Sequence, residues 1–297
     1  MATKRSFFKE IKKYSFCYIC IAPFFILFAI FQVYPMIYGF FVSLTRWSGF
    51  EAPRYIGFDN YLQLFRDNLF WQTLKNTVLL WFYIVPARTF LAIILAVIVI
   101  SPKIKGRSFF SFFFLLPYIT AIVVVAILFR VLFATNGGII NVFLDAFHIG
   151  KIAWLDSPLW SKISIGIMNI WRITGYFMIV MVAGLQRISK SMYEAAEIDG
   201  CTPVKAFFRI TIPQMFPIIF FVVLTSTLWI FQNIGDAMVL TQGGPLYSST
   251  PLVYYMYRMA FEFNKLGYAS AITYIIFAIL LIISSVVIKL QGTRFED

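Results

Sequence analysis

The chain has 297 residues, of which 61% are hydrophobic, 20% aromatic and 13% charged. A soluble domain is about 45–50% apolar and about 25% charged, so this composition excludes an ordinary soluble enzyme, a disordered chain and a collagen-like one. It predicts an all-α polytopic membrane protein, because a bilayer core of about 30 Å requires roughly 20 apolar residues per helix. The net charge is +12. We attribute this excess of Lys and Arg to cytoplasmic loops, where basic residues of membrane proteins collect, rather than to a nucleic-acid-binding surface.

Apolar runs of about that length occur six times, and they predict six transmembrane helices in one membrane domain covering residues 1–297. Helices are expected because backbone groups in lipid must form hydrogen bonds within their own segment. The first run follows several Lys and Arg residues, but it is too long for a signal peptide and is predicted to be an uncleaved span. The predicted spans are 14–41, 76–100, 108–133, 160–185, 214–234 and 267–290.

Basic residues are unevenly distributed between the two sets of loops. The N-terminus, residues 101–107, residues 187–213 and the C-terminal tail together hold 14 of the 25 Lys and Arg. Because such residues collect in cytoplasmic loops, both termini are predicted to be cytoplasmic, and the even number of spans agrees. On the opposite side, residues 58–65 have apolar side chains at helical spacing, which predicts an amphipathic helix at the outer interface.

Few residues suit catalysis, metal binding or nucleotide binding. Cys17 and Cys20 form a C-x-x-C within an apolar run, and they are interpreted as buried thiols rather than a redox or metal site. His148 is the one histidine, with no cluster of cysteines or carboxylates near it in sequence, so no metal site is expected. The phosphate-binding pattern G-x-x-x-x-G-K-[ST] does not occur, so we expect no cofactor in this chain.

The cytoplasmic loop at 187–213 predicts two short helices joined by a glycine turn. Ser191, followed by Glu194 three residues later, forms a capping box that is expected to start the first helix. Gly200 suits the position that ends it. The Thr-Pro pair at 202–203 supplies an N-cap and a first helical residue for the second helix.

This loop resembles the EAA motif of the permease subunits of ATP-binding cassette (ABC) importers. The matching residues are Glu194, Ala195, Ala196 and Gly200, followed by residues 210–213, whose proline is expected to end the second helix and lead into the fifth span.

Four further strings resemble the carbohydrate-uptake branch of the same superfamily, which includes the first membrane subunits of maltose- and glycerol-phosphate-type systems. They lie at 57–61, 169–176, 198–200 and 241–245. The resemblance covers most of the chain beyond about Phe58. It implies that the outer loop containing 241–245 meets an extracytoplasmic sugar-binding protein.

The resemblance also implies a type I ABC importer fold and a multi-pass location in the bacterial inner membrane. The implied partners are a second related permease, two ATPase subunits that bind the ATP and magnesium, and a solute-binding protein. This chain would itself be no enzyme. Coupling to the ATPases is assigned to Glu194, Ala195, Ala196, Asp199, Gly200, Lys205, Phe207 and Phe208. For Glu194 the alternative role of only capping its own helix stays open. For Asp199 an ion pair with a nearby Lys or Arg is as well supported as contact with an ATPase.

Polar residues at helical spacing on the fourth and fifth spans are candidates for the substrate path, because polar groups at membrane depth usually face protein or water. They are Asn169, Arg172, Tyr176, Ser226, Trp229, Asn233 and Asp236. Their aromatic rings, amides and charged groups suit a hydroxyl-rich sugar, although such residues also join helices to each other. Arg88 is expected to bond backbone carbonyls freed by Pro86.

The sequence therefore predicts a permease subunit of a binding-protein-dependent ABC importer for a carbohydrate. A glycerol-phosphate or polyol-type permease is the nearest alternative. A channel or secondary transporter is less favoured because nothing in such a protein requires the helix–glycine–helix loop. A membrane-embedded enzyme is disfavoured because the predicted spans contain no deep carboxylate or cluster of metal ligands.

Overall fold

The computed structural model describes residues 14–101 and 104–292, and these are almost entirely helical. The basic N-terminal residues and the C-terminal tail, on which the predicted orientation partly depends, lie outside the described residues. Up to residue 146 the helices are α1 (Ser15–Phe28), α2 (Tyr34–Ser43), α3 (Asp59–Arg66), α4 (Asn68–Ile100), α5 (Arg107–Ile119), α6 (Ile122–Leu132) and α7 (Ile139–Ala146). After it come α8 (Trp160–Leu185), α9 (Lys190–Ile198), α10 (Pro203–Ala206), α11 (Ile212–Gln214), α12 (Phe216–Gln232), α13 (Gly235–Leu240), α14 (Leu252–Tyr257) and α15 (Leu266–Gly292).

Short irregular elements link some of these helices. Ala29–Val33 is a π-helical segment between α1 and α2, Phe207–Thr211 is another between α10 and α11, and Arg258–Glu262 is a third that follows α14. The antiparallel strands β1 (Thr45–Arg46) and β2 (Arg54–Tyr55) form a two-residue ladder. By contact the chain divides into two compact units.

Within residues 14–101 and 104–292, four helical segments are long and apolar enough to cross a membrane: Ser15–Ser43, α4, α8 and Leu266–Lys289. Two further helix pairs pass the same test but are bent, with 91° between α5 and α6 and 66° between Pro203–Gln214 and α12. The structure therefore has the six predicted spans when each bent pair counts as one crossing. Residues 108–133, expected as one helix, form two.

The bend between α5 and α6 follows a proline. Pro117 lies in the last turn of α5, where it has no N–H to donate to the carbonyl of the preceding turn, so the end of the helix is weakened. Thr120 and Ala121 are then extended, with ψ angles of 137° and 132°. The inside of this elbow is an apolar cavity of about 440 Å³, lined among others by Leu91 and Trp171.

The first compact unit contains the described residues up to Leu64 together with Met259–Tyr274. None of its side chains from Ser15 to Phe41 is buried. The prediction of buried thiols in this segment is therefore wrong, because Cys17 and Cys20 are exposed on the surface of the chain. An apolar helix with no buried side chain needs lipid or another subunit to cover it.

The end of the first span is fixed by hydrogen bonds in the same unit. The amide of Asn60 on α3 donates to the backbone oxygens of Ser43 and Thr45, at 2.8 Å each. The predicted amphipathic helix at 58–65 is confirmed as α3, but it buries Asn60 and Leu64 while Leu62 on its predicted apolar face is exposed.

The second unit contains Phe65–Arg258 and the described residues from Ile275 onward. Its core forms where α4, α8 and α12 pack together, and it includes buried side chains such as Met168 and Phe177. At Gly175 the backbones of α8 and α5 approach closely, because a Cβ atom there would lie 1.8 Å from the carbonyl oxygen of Phe114.

Replacement of Gly175 by alanine is expected to lower the unfolding temperature, although alanine is the better helix former by about 0.8–1.0 kcal/mol. The clash involves a backbone atom that moves only with its helix, and overpacking of this kind costs about 1–3 kcal/mol. Gly150→Ala is the control, because nothing lies within 4 Å of its added Cβ. Thermal unfolding of the purified protein in detergent checks this, and equal unfolding temperatures for the two variants would contradict the close approach.

Candidate functional site

A break in the fifth predicted span creates the first part of the site. The helix α12 ends at Gln232, and Asn233 is extended, with φ −84° and ψ 107°. The side-chain oxygen of Asn233 accepts a hydrogen bond from the backbone N–H of Asp236 at 3.2 Å, which starts α13. The expectation that residues 226–236 share one helical face is therefore wrong, because Asp236 lies on a separate helix.

The carboxylate of Asp236 is buried and accepts hydrogen bonds from three side chains. Arg172 Nη2 on α8 donates to Oδ1 at 3.2 Å, which is also an ion pair. The amides of Asn169 and Asn233 both donate to Oδ2, the latter at 2.5 Å. A carboxylate in an apolar interior needs such donors, because an unpaired buried charge is very costly.

Arg88 extends this polar network to α4 and α12. Its side chain is completely buried, its Nη1 donates to Asn169 Oδ1 at 3.0 Å and its Nη2 contacts the Ser226 carbonyl oxygen at 3.4 Å. The guanidinium carbon also lies 5.1 Å from the ring centre of Phe177, which is within cation–π range. Arg88 does bond a carbonyl as expected, but the carbonyl is on another helix rather than beside Pro86.

A cavity of about 290 Å³ adjoins this network. Its lining consists of Tyr118, Arg172, Ile173, Trp229, Gln232 and Asn233. Tyr118 stacks on Tyr176 with 4.7 Å between ring centres, and it lies nearly parallel to Trp229 at 6.3 Å. Aromatic faces beside a few convergent polar groups are the usual composition of a small-molecule site.

The structure brings together most of the predicted path residues, but it gives them different positions. Arg172, Trp229 and Asn233 line the cavity, whereas Tyr176 stacks behind it. The remaining three are buried in the polar network or beside it: Asn169, Ser226 and Asp236. Tyr118 and Gln232 were not predicted. Their sequence signals, a tyrosine directly after Pro117 and an amide at the end of a span, are weak.

The loop at 187–213 forms the second part of the site and is a helix–turn–helix. The first helix, α9, begins at Lys190, and its N-cap is Ser189, two residues before the predicted Ser191, with no side-chain cap hydrogen bond. The predicted capping box is therefore absent, and Glu194 is exposed. The predicted N-cap of the second helix is confirmed, because Thr202 Oγ1 accepts from the backbone N–H of Lys205 at 3.4 Å.

The glycine turn of this loop has the predicted geometry. Gly200 has φ +71°, a conformation that other residues rarely adopt. Its N–H donates to the Glu197 carbonyl at 3.0 Å, and the N–H of Cys201 donates to the Ala196 carbonyl at 2.8 Å. This pair of bonds is a Schellman ending. Asp199 is exposed and forms no ion pair within the described part of the chain.

The second helix of the loop continues further than predicted. It passes through the π-helical segment and includes Pro213, so the helical conformation ends at Gln214 instead. Tyr193 is joined to Thr211 by a 2.8 Å hydrogen bond that ties the two helices together. The outward surface of the loop is apolar, with Phe208 65% exposed, whereas Phe207 packs partly against the core.

The other exposed side chains of this loop include Ala195, Lys205 and two large apolar residues, Ile198 at 88% and Val204 at 68%. An exposed apolar patch with a polar border is typical of a surface that contacts another protein.

The structure combines bent membrane helices, a polar cavity and a loop with an exposed apolar surface. This combination is typical of a membrane transport component. The chain belongs to the family of binding-protein-dependent transport system inner membrane components, whose sequence profile matches residues 88–296. It is therefore an integral membrane permease of the ABC type rather than an enzyme, and it works with partner subunits. This assignment decides against the channel, secondary-transporter and membrane-enzyme alternatives.

Several characterised proteins are similar over nearly their whole length. The lactose transport system permease protein LacF of Rhizobium radiobacter is 35% identical over 268 residues, covering 89% of this chain and 90% of LacF. The sulfoquinovosyl glycerol transport system permease protein SmoG of Agrobacterium fabrum is 32% identical over 278 residues, covering 92% and 89%.

A solved structure has the same fold. It is the crystal structure of a bacterial ABC transporter involved in the import of the acidic polysaccharide alginate, which matches with a TM-score of 0.83 and 25% identity. The match covers 97% of this chain and 99% of that one. The similarity therefore includes the helices that carry both parts of the site.

Removal of the Asn169 amide is expected to destabilise the protein. In Asn169→Leu, Arg88 Nη1 loses its acceptor and Asp236 Oδ2 keeps only the amide of Asn233, and an unsatisfied buried group costs about 1–3 kcal/mol. Thr174→Val is the control on the same helix, because its buried hydroxyl bonds, among the described residues, to the carbonyl of Ile170 one turn earlier. Thermal unfolding of both variants measures the difference, and an Asn169→Leu protein as stable as Thr174→Val would rule out the network as described.

Proposed function

We propose that this chain is a membrane-spanning subunit of an ABC importer that carries a carbohydrate across the bacterial cytoplasmic membrane. The observation that carries the proposal is the cavity between α8 and α12, where the rings of Tyr118 and Trp229 adjoin the amides of Gln232 and Asn233. Sugars present C–H faces that pack on aromatic rings and hydroxyl groups that bond to amides. The substrates in the names of LacF and SmoG support the same class. In this proposal residues 1–297 act as one transmembrane domain.

The predicted path residues divide between two roles in this proposal. Arg172, Trp229 and Asn233 contact the sugar directly, because they line the cavity. Those behind the cavity, namely Asn169, Tyr176, Ser226 and Asp236, hold the lining residues in place. A glycerol-phosphate or other polyol ester remains the second candidate. The stacked rings favour the sugar, since a short polyol has little surface to place against two aromatic faces.

The loop at 187–213 transmits the movement of the ATPase subunits in this proposal. Its exposed apolar residues, with Phe208 at the centre and Lys205 at the border, fit a groove on a cytoplasmic ATPase. Ala195, Ala196 and Gly200 are small and permit close approach. Glu194 and Asp199 are exposed, which leaves both available for partner contact. Phe207 supports Phe208 from the core side, with 5.1 Å between the rings. ATP and magnesium bind to the ATPases and not to this chain.

The remaining partners follow from surfaces that this chain leaves uncovered. The segment from Ser15 to Phe41 buries no side chain, so it suits contact with a second related permease within the bilayer. The outer loop around residues 241–245 is held against α4, where Asn76 donates to the backbone oxygens of Tyr247 and Thr250 at 3.0 Å each. Such a rigid loop suits contact with a solute-binding protein. A binding-protein complex is known for a similar transporter, the alginate importer with its pentasaccharide-bound periplasmic protein.

The proposal predicts that a sugar and its binding protein together stimulate ATP hydrolysis. We would purify the complex through a tag on this chain, place it in nanodiscs and test neutral sugars, uronic-acid oligosaccharides and glycerol phosphates with the binding protein. Stimulation by a saccharide supports the proposal. Stimulation by glycerol phosphate alone would transfer the assignment to the polyol class, and a chain that purifies without an ATPase would contradict the importer.

Substitution of Phe208 by alanine is expected to weaken ATPase binding. A central aromatic residue contributes roughly 2 kcal/mol or more to such an interface, which is about thirtyfold in Kd. Phe143→Ala is the matched control, because Phe143 is equally exposed at 63% but lies on α7, outside the loop. The amount of ATPase that co-purifies at limiting concentration gives the comparison, and equal recovery from both variants would exclude Phe208 from the interface.

A further inference from the structure

The buried polar network carries an unbalanced positive charge. The candidate membrane spans contain no Asp or Glu, and the network has two guanidinium groups, Arg88 and Arg172, around one carboxylate, Asp236. Charge near the middle of a bilayer is expensive and is usually functional when present. The network as a whole therefore lacks one negative charge.

Arg172 is the charged member of the network that reaches the cavity. Arg88 is completely buried, and Asp236 has 4% of its side chain exposed, whereas the side chain of Arg172 is 13% exposed and lines the cavity. Arg172 Nη2 is used by Asp236, but its Nε is buried and has no hydrogen-bond partner among the described residues. The Nε of Arg88 also has no partner among the described residues, so what distinguishes Arg172 is its position in the cavity wall.

The second oxygen of Asp236 is already saturated by amides. Asn169 and Asn233 both donate to Oδ2, so the carboxylate is held without requiring the full guanidinium of Arg172. The planar guanidinium group has five donors and matches carboxylate and other oxyanion groups well. An anionic group in the cavity would contact Arg172 where its side chain is exposed, and it would neutralise the excess charge.

We propose that the transported carbohydrate is acidic, and that Arg172 determines this specificity by pairing with a carboxylate or similar anionic substituent of the sugar. This inference rests on the proposed function and narrows it to a substrate class. The stacked rings of Tyr118 and Trp229 hold the C–H face of the sugar, and the amide of Asn233 lies between the bound sugar and Asp236, keeping the two negative charges apart.

The test compares sugars that differ only in charge. We would reconstitute the importer, purified with its partner subunits and its binding protein, into proteoliposomes and measure ATP-dependent uptake. The probes are trisaccharides of galacturonate, mannuronate and glucuronate, each paired with its carboxyl-reduced neutral counterpart of the same length and linkage. Because the binding protein is the same in every assay, its own preference cancels when variants are compared.

Three variants separate specificity from structure. Arg172→Gln removes the positive charge at the cavity. Arg172→Gln combined with Asp236→Asn also removes the negative charge of Asp236, so that the pair of side chains stays neutral overall. Arg130→Gln is the control, because Arg130 is exposed on α6 and does not line the cavity. Gel filtration reports whether each complex is intact.

Wild type is expected to import at least one uronate trisaccharide about tenfold or more faster than its neutral counterpart, as expected for one hydrogen-bonded charge pair. The double variant should lose this preference, so that it imports the two members of each probe pair at equal rates, and Arg130→Gln should keep it. Equal uptake of both probes by wild type, or a preference unchanged in an intact double variant, would overturn the inference. If only uncharged sugars are taken up, the inference of an acidic substrate fails and the proposed carbohydrate importer stands. If no saccharide is taken up, the inference and the proposed function both fail.

Discussion

The interior of the second unit is organised by the need to hold a carboxylate and two guanidinium groups away from water. Asp236 is satisfied only because donors from α8 and from the break after α12 converge on it. Arg88 then connects the same amide to α4 and to the α12 backbone. Since each group would be very costly without the others, the network fixes the mutual positions of these helices and of the cavity beside them.

The two parts of the site are connected by the same two helices. The helix α8 passes the cavity at Arg172 and ends at Leu185, just before the loop, while α12 begins just after the loop and ends at Gln232 beside the cavity. The loop helices are in turn tied to each other by the bond from Tyr193 to Thr211. In the proposed function, a displacement of the loop would reach the cavity through these two helices.

Much of the fold is predictable from the sequence because its main signals are local. Long apolar runs predict membrane helices whatever their neighbours, and Gly200 predicts a turn because the positive φ is a property of one residue. The bend after Ile119 is harder to predict. Pro117 indicates that a helix is disturbed, but the extended conformation of Thr120 and Ala121 depends on what the two arms pack against.

The composition of the site is less predictable because its contacts are distant in sequence. Polar spacing identified Arg172 and Asn233, yet nothing local indicates that Arg88 bonds to Asn169 across 81 positions. The exposed thiol of Cys17 has a related explanation. Hydrophobicity predicts that a side chain avoids water, but it does not distinguish a protein interior from a surface facing lipid or another subunit.

The elbow between α5 and α6 also bears on how the protein fits its bilayer. At about 1.5 Å per residue, the 13 residues of α5 and the 11 of α6 reach about 20 Å and about 16 Å. Neither arm alone spans a hydrocarbon core of about 30 Å. A straight helix adapts to membrane thickness by tilting, whereas the depth that this pair spans depends on the angle between its arms, which is 91°. Because residues of both arms line the apolar cavity, a change in that angle would also change the shape of the cavity.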